Sequence, residues 1–203
     1  MRDIYQERYT AYQEFKKNMD AIEEKTFYGD SEVAPFFDIM YSRRSQRLFN
    51  RKDINEEDLI TIVNAANTAP SSCNRNAVSL KIVRDKDEIE KLSNLLVGGR
   101  GWMKNSNIVI LFLANMLGYK SPNEVDFMLY LDTGFIAQNI YLASEAISVG
   151  SCFVNPNIRE DDKEEFYSLF APENHILCGA IALGNYDMRE QRRQHEHPII
   201  YGL

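Results

Sequence analysis

Apolar residues recur along this chain in two rhythms that alternate, stripes at helical spacing and short unbroken runs. Tyr5, Tyr9, Tyr12, Phe15, Met19 and Ile22 stripe a strongly charged segment and predict an amphipathic helix from residue 2 to about 25. Such a helix packs either on its own domain or, as an added arm, on a second subunit. Gly29, Asp30 and Ser31 interrupt it, and Pro35 restarts a short helix over Phe36–Tyr41. Asn55 is placed as an N-cap, with Glu56, Glu57 and Asp58 where carboxylates meet the positive end of a helix dipole. Leu59, Ile62, Val63 and Ala66 give that helix one apolar face, and it ends before Pro70. Val78–Val83 suits a strand, Asp87–Leu96 a helix, and the glycines of 98–101 a loop. Asn107–Leu113 is a continuous apolar run, as a strand buried on both faces requires. Val125–Val149 is apolar on nearly every side and predicts a long helix surrounded by protein. Ser151–Val154 and Leu177–Leu183 read as strands on either side of a helix from about Arg159 to Phe170.

The order implies an α+β domain, a mixed sheet flanked by helices around a long buried central helix. Residues 1–34 form a helical extension and 35–203 the domain proper. No strand leads into a glycine fingerprint, so neither a Rossmann site nor a P-loop is signalled. The chain has 203 residues, 23 basic against 30 acidic, for a net charge of −7. That balance repels nucleic acid and anionic lipid, so neither is an expected partner. Asp132, Gln138, Asn139 and Glu145 interrupt the longest apolar stretch, which excludes a membrane span there. The opening residues are polar and charged, unlike a secretory leader, and Cys73, Cys152 and Cys178 are too few and too widely spaced for a disulfide framework. A cytoplasmic protein with reduced thiols is expected. His175, His195 and His197 lack metal-ligand spacing with acids or cysteines, so no metal is expected.

Candidate chemistry concentrates in Ser42-Arg-Arg-Ser-Gln-Arg-Leu-Phe49, three arginines and two serines in one short turn of an acidic protein. Guanidinium groups and hydroxyls held together suit a phosphate or a polyhydroxy chain, and an anion would relieve the repulsion among the arginines. The competing reading is a solvated basic loop salt-bridged to nearby acids. Pro70-Ser-Ser-Cys-Asn74 offers small polar side chains after a helix end, and could equally be an ordinary terminating loop. Gly150-Ser-Cys152 lies where the long helix hands over to a strand, either as a glycine C-cap or as a turn whose backbone N–H groups approach a planar ligand.

In this order and spacing the three segments resemble the nitroreductase-like flavoproteins. The likeness runs from about Phe36 to Pro198 and includes Ala69-Pro-Ser-Ser-Cys-Asn-Arg-Asn76, Asp132-Thr-Gly-Phe-Ile-Ala-Gln-Asn-Ile-Tyr-Leu-Ala143, Val149-Gly-Ser-Cys152, Ala182-Leu-Gly184 and a terminal arginine pair. The resemblance implies FMN bound at the interface of a homodimer. Arg43, Arg44 and Ser45 would hold its phosphate and ribityl chain, and Arg47 would stabilise negative charge at N1 of the reduced ring. Asn74 would bond the ring edge, and Pro70, Ser71 and Ser72 of the partner subunit would line the same cofactor. Backbone groups around Gly150 and Ser151 would reach the N5 side, and either Arg192 or Arg193 would complete the phosphate grip. Where the family commonly has Asn-x-Gln-Pro-Trp, this chain has Asn74-Arg-Asn-Ala-Val78, which loses an aromatic and a proline beside the ring.

The expected function is an FMN-dependent oxidoreductase that takes a hydride from NADH or NADPH and passes electrons to a small acceptor such as a nitroaromatic, quinone or enone. A flavoenzyme needs no catalytic side-chain set, because the cofactor carries the redox step. Two other readings stand beside it: a non-catalytic flavin-binding or flavin-storage protein, and a structural interaction module whose arginines only make surface salt bridges.

Overall fold

The computed structural model describes residues 34–50 and 52–191. The helix expected over residues 2–25, the terminal arginine pair Arg192 and Arg193, and His195 and His197 lie outside them. In chain order the described residues form α1 (Ala34–Ser42), α2 (Glu56–Asn67), β1 (Val78–Val83), α3 (Lys86–Leu95), β2 (Ile108–Asn115), α4 (Pro122–Val125), α5 (Met128–Ala146), β3 (Gly150–Val154), α6 (Lys163–Phe170) and β4 (His175–Gly184). Asn55 caps α2 as expected, its side chain accepting from the Asp58 N–H at 2.8 Å.

The strands pair in the order β1-β2-β4-β3, every pair antiparallel. The expected mixed sheet is therefore mixed only through one isolated parallel bridge, from Ser45 to Ser151 on the outer side of β3. β2 is buried along nearly its whole length because both faces of the sheet are covered. Ile108, Ile110 and Phe112 join Leu59, Ile62, Leu129 and Ile140 on the α2/α5 side. Val109, Leu111 and Leu113 join Ile89, Leu92, Phe166 and Phe170 on the α3/α6 side. A helix–sheet–helix sandwich follows from this alternation.

The register slips between Phe112 and Leu113, opposite Gly179. The extra residue resets the alternation of β4, so that Cys178 and Ile181 face one layer while Leu177 and Ala180 face the other. Gly179 has φ 153°, and a Cβ there would stand 2.2 Å from Phe153 Cζ, whose ring stacks on Phe112. Only glycine fits the bulge.

α5 turns Leu129, Asp132, Thr133, Ala137, Ile140 and Ser144 into the protein. Its opposite face is open within one chain: Tyr130, Leu131 and Phe135 are 44%, 47% and 40% exposed. The all-round apolar pattern marks a helix covered on one side by the sheet layer and carrying a second apolar stripe outward. Its polar interruptions also have structural employment. Asn139 donates to the Ala65 carbonyl and the Thr68 hydroxyl, both at 3.1 Å, which fastens α5 to the end of α2. Among the described residues, no helix is long and apolar enough to cross a membrane.

Candidate functional site

The arginine turn follows α1 directly and is laid against the outer side of β3. The Gln46 N–H donates to the Ser151 carbonyl at 2.9 Å, and Ser45 bridges Ser151. Gln46 is only 3% exposed and organises the turn from beneath. Its amide donates to the Leu48 and Met188 carbonyls at 3.0 Å and accepts from the Glu190 N–H at 2.9 Å. The segment after β4 thus folds back under the turn as a strap.

Above this base the arginines are held half-buried rather than splayed into solvent. The Arg43 guanidinium lies 4.7 Å from the centroid of the Tyr141 ring, within cation–π range. Arg44 donates to the Ser42 carbonyl. Arg47 lies over the Trp102 ring at 5.7 Å and meets Glu190 at 3.7 Å, while its backbone N–H donates to the same carboxylate at 3.1 Å. Glu145, one helical turn after Tyr141, accepts from the Ser42 hydroxyl at 2.7 Å and pairs with Arg189. As the solvated-loop reading expects, an acid engages Arg47 of the turn. Among the described residues, however, Arg43 makes no ion pair.

Tyr141 is a fixed support for this turn. Its hydroxyl oxygen accepts from the Phe153 N–H at 2.5 Å. Burial first, then the neighbouring Cys152 thiol, pushes the phenol above its ordinary value. Burial likewise raises the Cys152 thiol, against the pull of Arg47, so Cys152 is a protonated packing group under the turn and not a nucleophile.

Gly150 does not cap α5. The helix ends on Ile147, followed by Ser148 in the left-handed conformation at φ 60°, with the Val149 N–H closing onto the Ser144 carbonyl at 2.8 Å. Gly150 is instead the first residue of β3 and is packed where a Cβ would meet Gln46 Cγ at 2.7 Å and the Gly184 carbonyl at 2.9 Å. Its lack of a side chain allows the turn and β4 to approach β3 together.

The Pro70–Asn74 loop sits elsewhere. Ser72 is anchored to Asp132 near the start of α5, whereas Arg43 rests on Tyr141. Nine residues of helix separate those anchors, roughly 13 Å at the α-helical rise. Within one chain the fold therefore brings Arg43, Arg44, Ser45, Arg47, Gly150 and Ser151 together and leaves Pro70, Ser71, Ser72 and Asn74 at the other end of α5. The loop is conformationally demanding: Cys73, Asn74 and Asn76 have φ of 51°, 55° and 50°. Left-handed backbone costs about 1–3 kcal/mol at an unfavourable residue, less at Asn, and persists only where neighbours enforce it. Here the Ser71 hydroxyl accepts from the Asn76 N–H at 3.0 Å, and Arg75 pairs with Glu124 at 2.7 Å.

Several supporting residues were not singled out by sequence reasoning: Gln46, Trp102, Tyr141, Glu145 and Glu190. Tyr141 and Glu145 did leave a signal, two polar-tipped residues at i, i+4 on one face of an apolar helix. Trp102 arrives from the glycine loop, its indole N–H fixed to the Gly98 carbonyl at 2.9 Å.

The donor set of the turn, guanidinium groups with the Ser45 hydroxyl and adjoining backbone, has the chemistry of a phosphate site. The profile of the Nitroreductase family matches residues 40–99, the stretch that contains both the arginine turn and the Pro70–Asn74 loop. A protein of Archaeoglobus fulgidus, provisionally named as an NADH dehydrogenase/NAD(P)H nitroreductase, is 29% identical over 147 residues, 72% of this chain and 82% of its own length. The NADPH-flavin oxidoreductase of Vibrio harveyi is 24% identical over 158 residues, 74% of this chain, and the match spans just under two thirds of that protein, 65%. Among solved structures, the FMN-dependent nitroreductase of Clostridium difficile superposes with a TM-score of 0.68 at 24% identity, covering 81% of this chain and 95% of its own, a likeness of fold.

Proposed function

We propose that this chain, whose residues 40–99 match the Nitroreductase family, is an FMN-dependent NAD(P)H oxidoreductase of that family whose flavin phosphate is held by the arginine turn. The observation that carries this reading is the turn itself: three half-buried guanidinium groups and Ser45, pinned to β3 through Gln46 and Ser151 and backed by Tyr141. When bound, FMN supplies the two-electron chemistry, taking a hydride from NADH or NADPH and passing electrons to a small acceptor such as a nitroaromatic, quinone or enone. Arg43, Arg44 and Ser45 bind the anionic end. Arg47, fixed between Trp102 and Glu190, supplies a cation of constrained orientation next to them. Gly150 and Ser151 offer main chain without side-chain obstruction, and Arg192 or Arg193, outside the described residues, would add to the phosphate grip.

The Pro70–Asn74 loop joins this site only if a second copy supplies it, since α5 holds the two apart within one chain. A homodimer is accordingly part of the proposal, with the outward stripe of Tyr130, Leu131 and Phe135 as its contact and residues 1–34 as a further arm. Three thiols without disulfides, Cys73, Cys152 and Cys178, suit a cytoplasmic setting. Sedimentation equilibrium is expected to give a dimer; a monomer that retains FMN contradicts the shared site.

A second reading, a flavin-binding protein without turnover, draws on Ala77 and Val78, which stand where relatives commonly carry a proline and an aromatic. Ala77 is buried against Gly118, where a Cβ would lie 2.7 Å from its own. Stopped-flow mixing with NADH and with NADPH separates the two readings. Bleaching of a visible flavin band on a turnover timescale is expected. A flavin band that neither donor bleaches favours the binder, and a protein with no flavin band that takes up no FMN removes both.

A further inference from the structure

Asp132 is 1% exposed, on the inward face of α5 between Leu129 and Ala137. A carboxylate so placed must have its oxygens satisfied, and among the described residues its donors come from two, Ser72 and Tyr119. Oδ1 accepts from the Ser72 N–H at 2.9 Å and from the Ser72 hydroxyl at 3.0 Å, and Oδ2 accepts from the Tyr119 hydroxyl at 3.1 Å. An apolar residue would serve the surrounding core as well or better. The choice of Asp therefore points to the loop it holds, whose left-handed residues Cys73 and Asn74 follow Ser72 immediately.

We propose that Asp132 is a positioning residue that sets, through Ser72, the orientation in which the Pro70–Asn74 loop meets the flavin. The inference rests on the flavin reading above and adds a residue to it that never touches the cofactor. Both bonds to Ser72 converge on one oxygen, so the peptide plane and the side-chain rotamer are set together. The loop then carries Ser71 and Asn74 in a fixed relation to the helix. Tyr119 donates to the other oxygen and satisfies it, while both bonds to the loop are made by Oδ1. Burial first, then the Asp132 charge, pushes the Tyr119 phenol well above its ordinary value, so its proton stays on that bond.

The test compares FMN affinity, visible circular dichroism of the bound flavin and melting temperature in the full chain, for the wild type, Asp132→Asn and Tyr119→Phe. Asp132→Asn keeps the size but removes the charge that makes both Ser72 bonds strong. It is expected to raise the FMN dissociation constant about tenfold and to alter the flavin dichroism. Tyr119→Phe removes one buried bond from the same carboxylate while leaving Ser72 anchored. It is expected to lower the melting temperature comparably while changing FMN affinity by less than about twofold. Wild-type FMN affinity and dichroism in Asp132→Asn would overturn the proposal, and so would equal loss of affinity in the two variants. Should Asp132→Asn fail to fold, Asp132→Glu decides in its place, since it keeps the charge but displaces it from Ser72, weakened FMN binding with altered dichroism supporting the proposal and wild-type behaviour overturning it. A wild-type protein that takes up no FMN overturns the flavin reading and this one with it, whereas wild-type-like Asp132→Asn overturns this one alone.

Discussion

Replacing Arg43 with alanine is expected to weaken FMN binding by roughly 10- to 100-fold, because each charge-assisted hydrogen bond contributes about 1.5–3 kcal/mol and every 1.4 kcal/mol is a factor of about ten. The Arg43 guanidinium rests on an aromatic face at 4.7 Å from the centroid of Tyr141, closer than Arg47 lies to Trp102 at 5.7 Å. Stacking fixes the plane of the fork without consuming its donors, so the side chain is oriented before the anion arrives. Arg43→Lys should recover part of the loss, since it restores a positive charge but neither the planar fork nor the stacking. The melting temperature without FMN should move little, because Arg43 makes no ion pair among the described residues and lies at the surface of the fold. Titration of flavin-stripped protein with FMN, followed by quenching of flavin fluorescence, reads the effect. An Arg43→Ala protein that binds FMN as the wild type does would return the turn to the status of an ordinary basic loop.

Gly150→Ala is expected to damage both stability and cofactor affinity. The new methyl group would meet Gln46 Cγ at 2.7 Å, the Gly184 carbonyl at 2.9 Å and Tyr186 Cδ1 at 2.9 Å. A flexible side-chain tip could yield, but the Gly184 carbonyl belongs to β4, the direct register partner of Gly150. Gln46 has little freedom either, since its amide ties the turn to Leu48, Met188 and Glu190. Overpacking of this kind costs about 1–3 kcal/mol, and each kcal/mol lowers the melting temperature by about 2–4 °C in a chain of this length. A fall of several degrees should therefore accompany weaker FMN binding, because relief of the clash displaces the same segment that carries the arginines. Differential scanning calorimetry of the apoprotein and the FMN titration together check it. Unchanged melting and unchanged affinity would mean that the turn does not depend on the close approach at β3.

These two residues also show what the chain disclosed before its fold was known. Arg43 was legible because its signal is local: three arginines in one turn of an acidic protein have few explanations. β2 was legible for the same reason, an unbroken apolar run that needs cover on both faces. Gly150 was recognised as special, but of its two readings the helix cap is not what the fold uses it for. A glycine after a helix suggests a cap, whereas its real constraint is the approach of Gln46 and Gly184 from 104 and 34 residues away in either direction, which no local pattern encodes. The helix instead ends on Ile147, with Ser148 left-handed after it.

The long helix presents the same contrast. Its apolar pattern on every side is real, but sequence periodicity does not say whether the second face meets the same chain or another. Asp132 read as a mere interruption of that pattern, and its pairing with Ser72 spans 60 residues. The separation of the Pro70–Asn74 loop from the arginine turn was likewise hidden, since order along the chain carries no distance. The all-antiparallel sheet emerged only from the pairing itself.

A crystal structure of the protein grown with FMN tests the arginine turn as a phosphate site. The flavin phosphate is expected within hydrogen-bond distance of the Arg43 guanidinium and the Ser45 hydroxyl, with the Pro70–Asn74 loop of a second copy beside the same cofactor. A flavin seated away from the turn, with Arg43 still lying only on Tyr141, would contradict it.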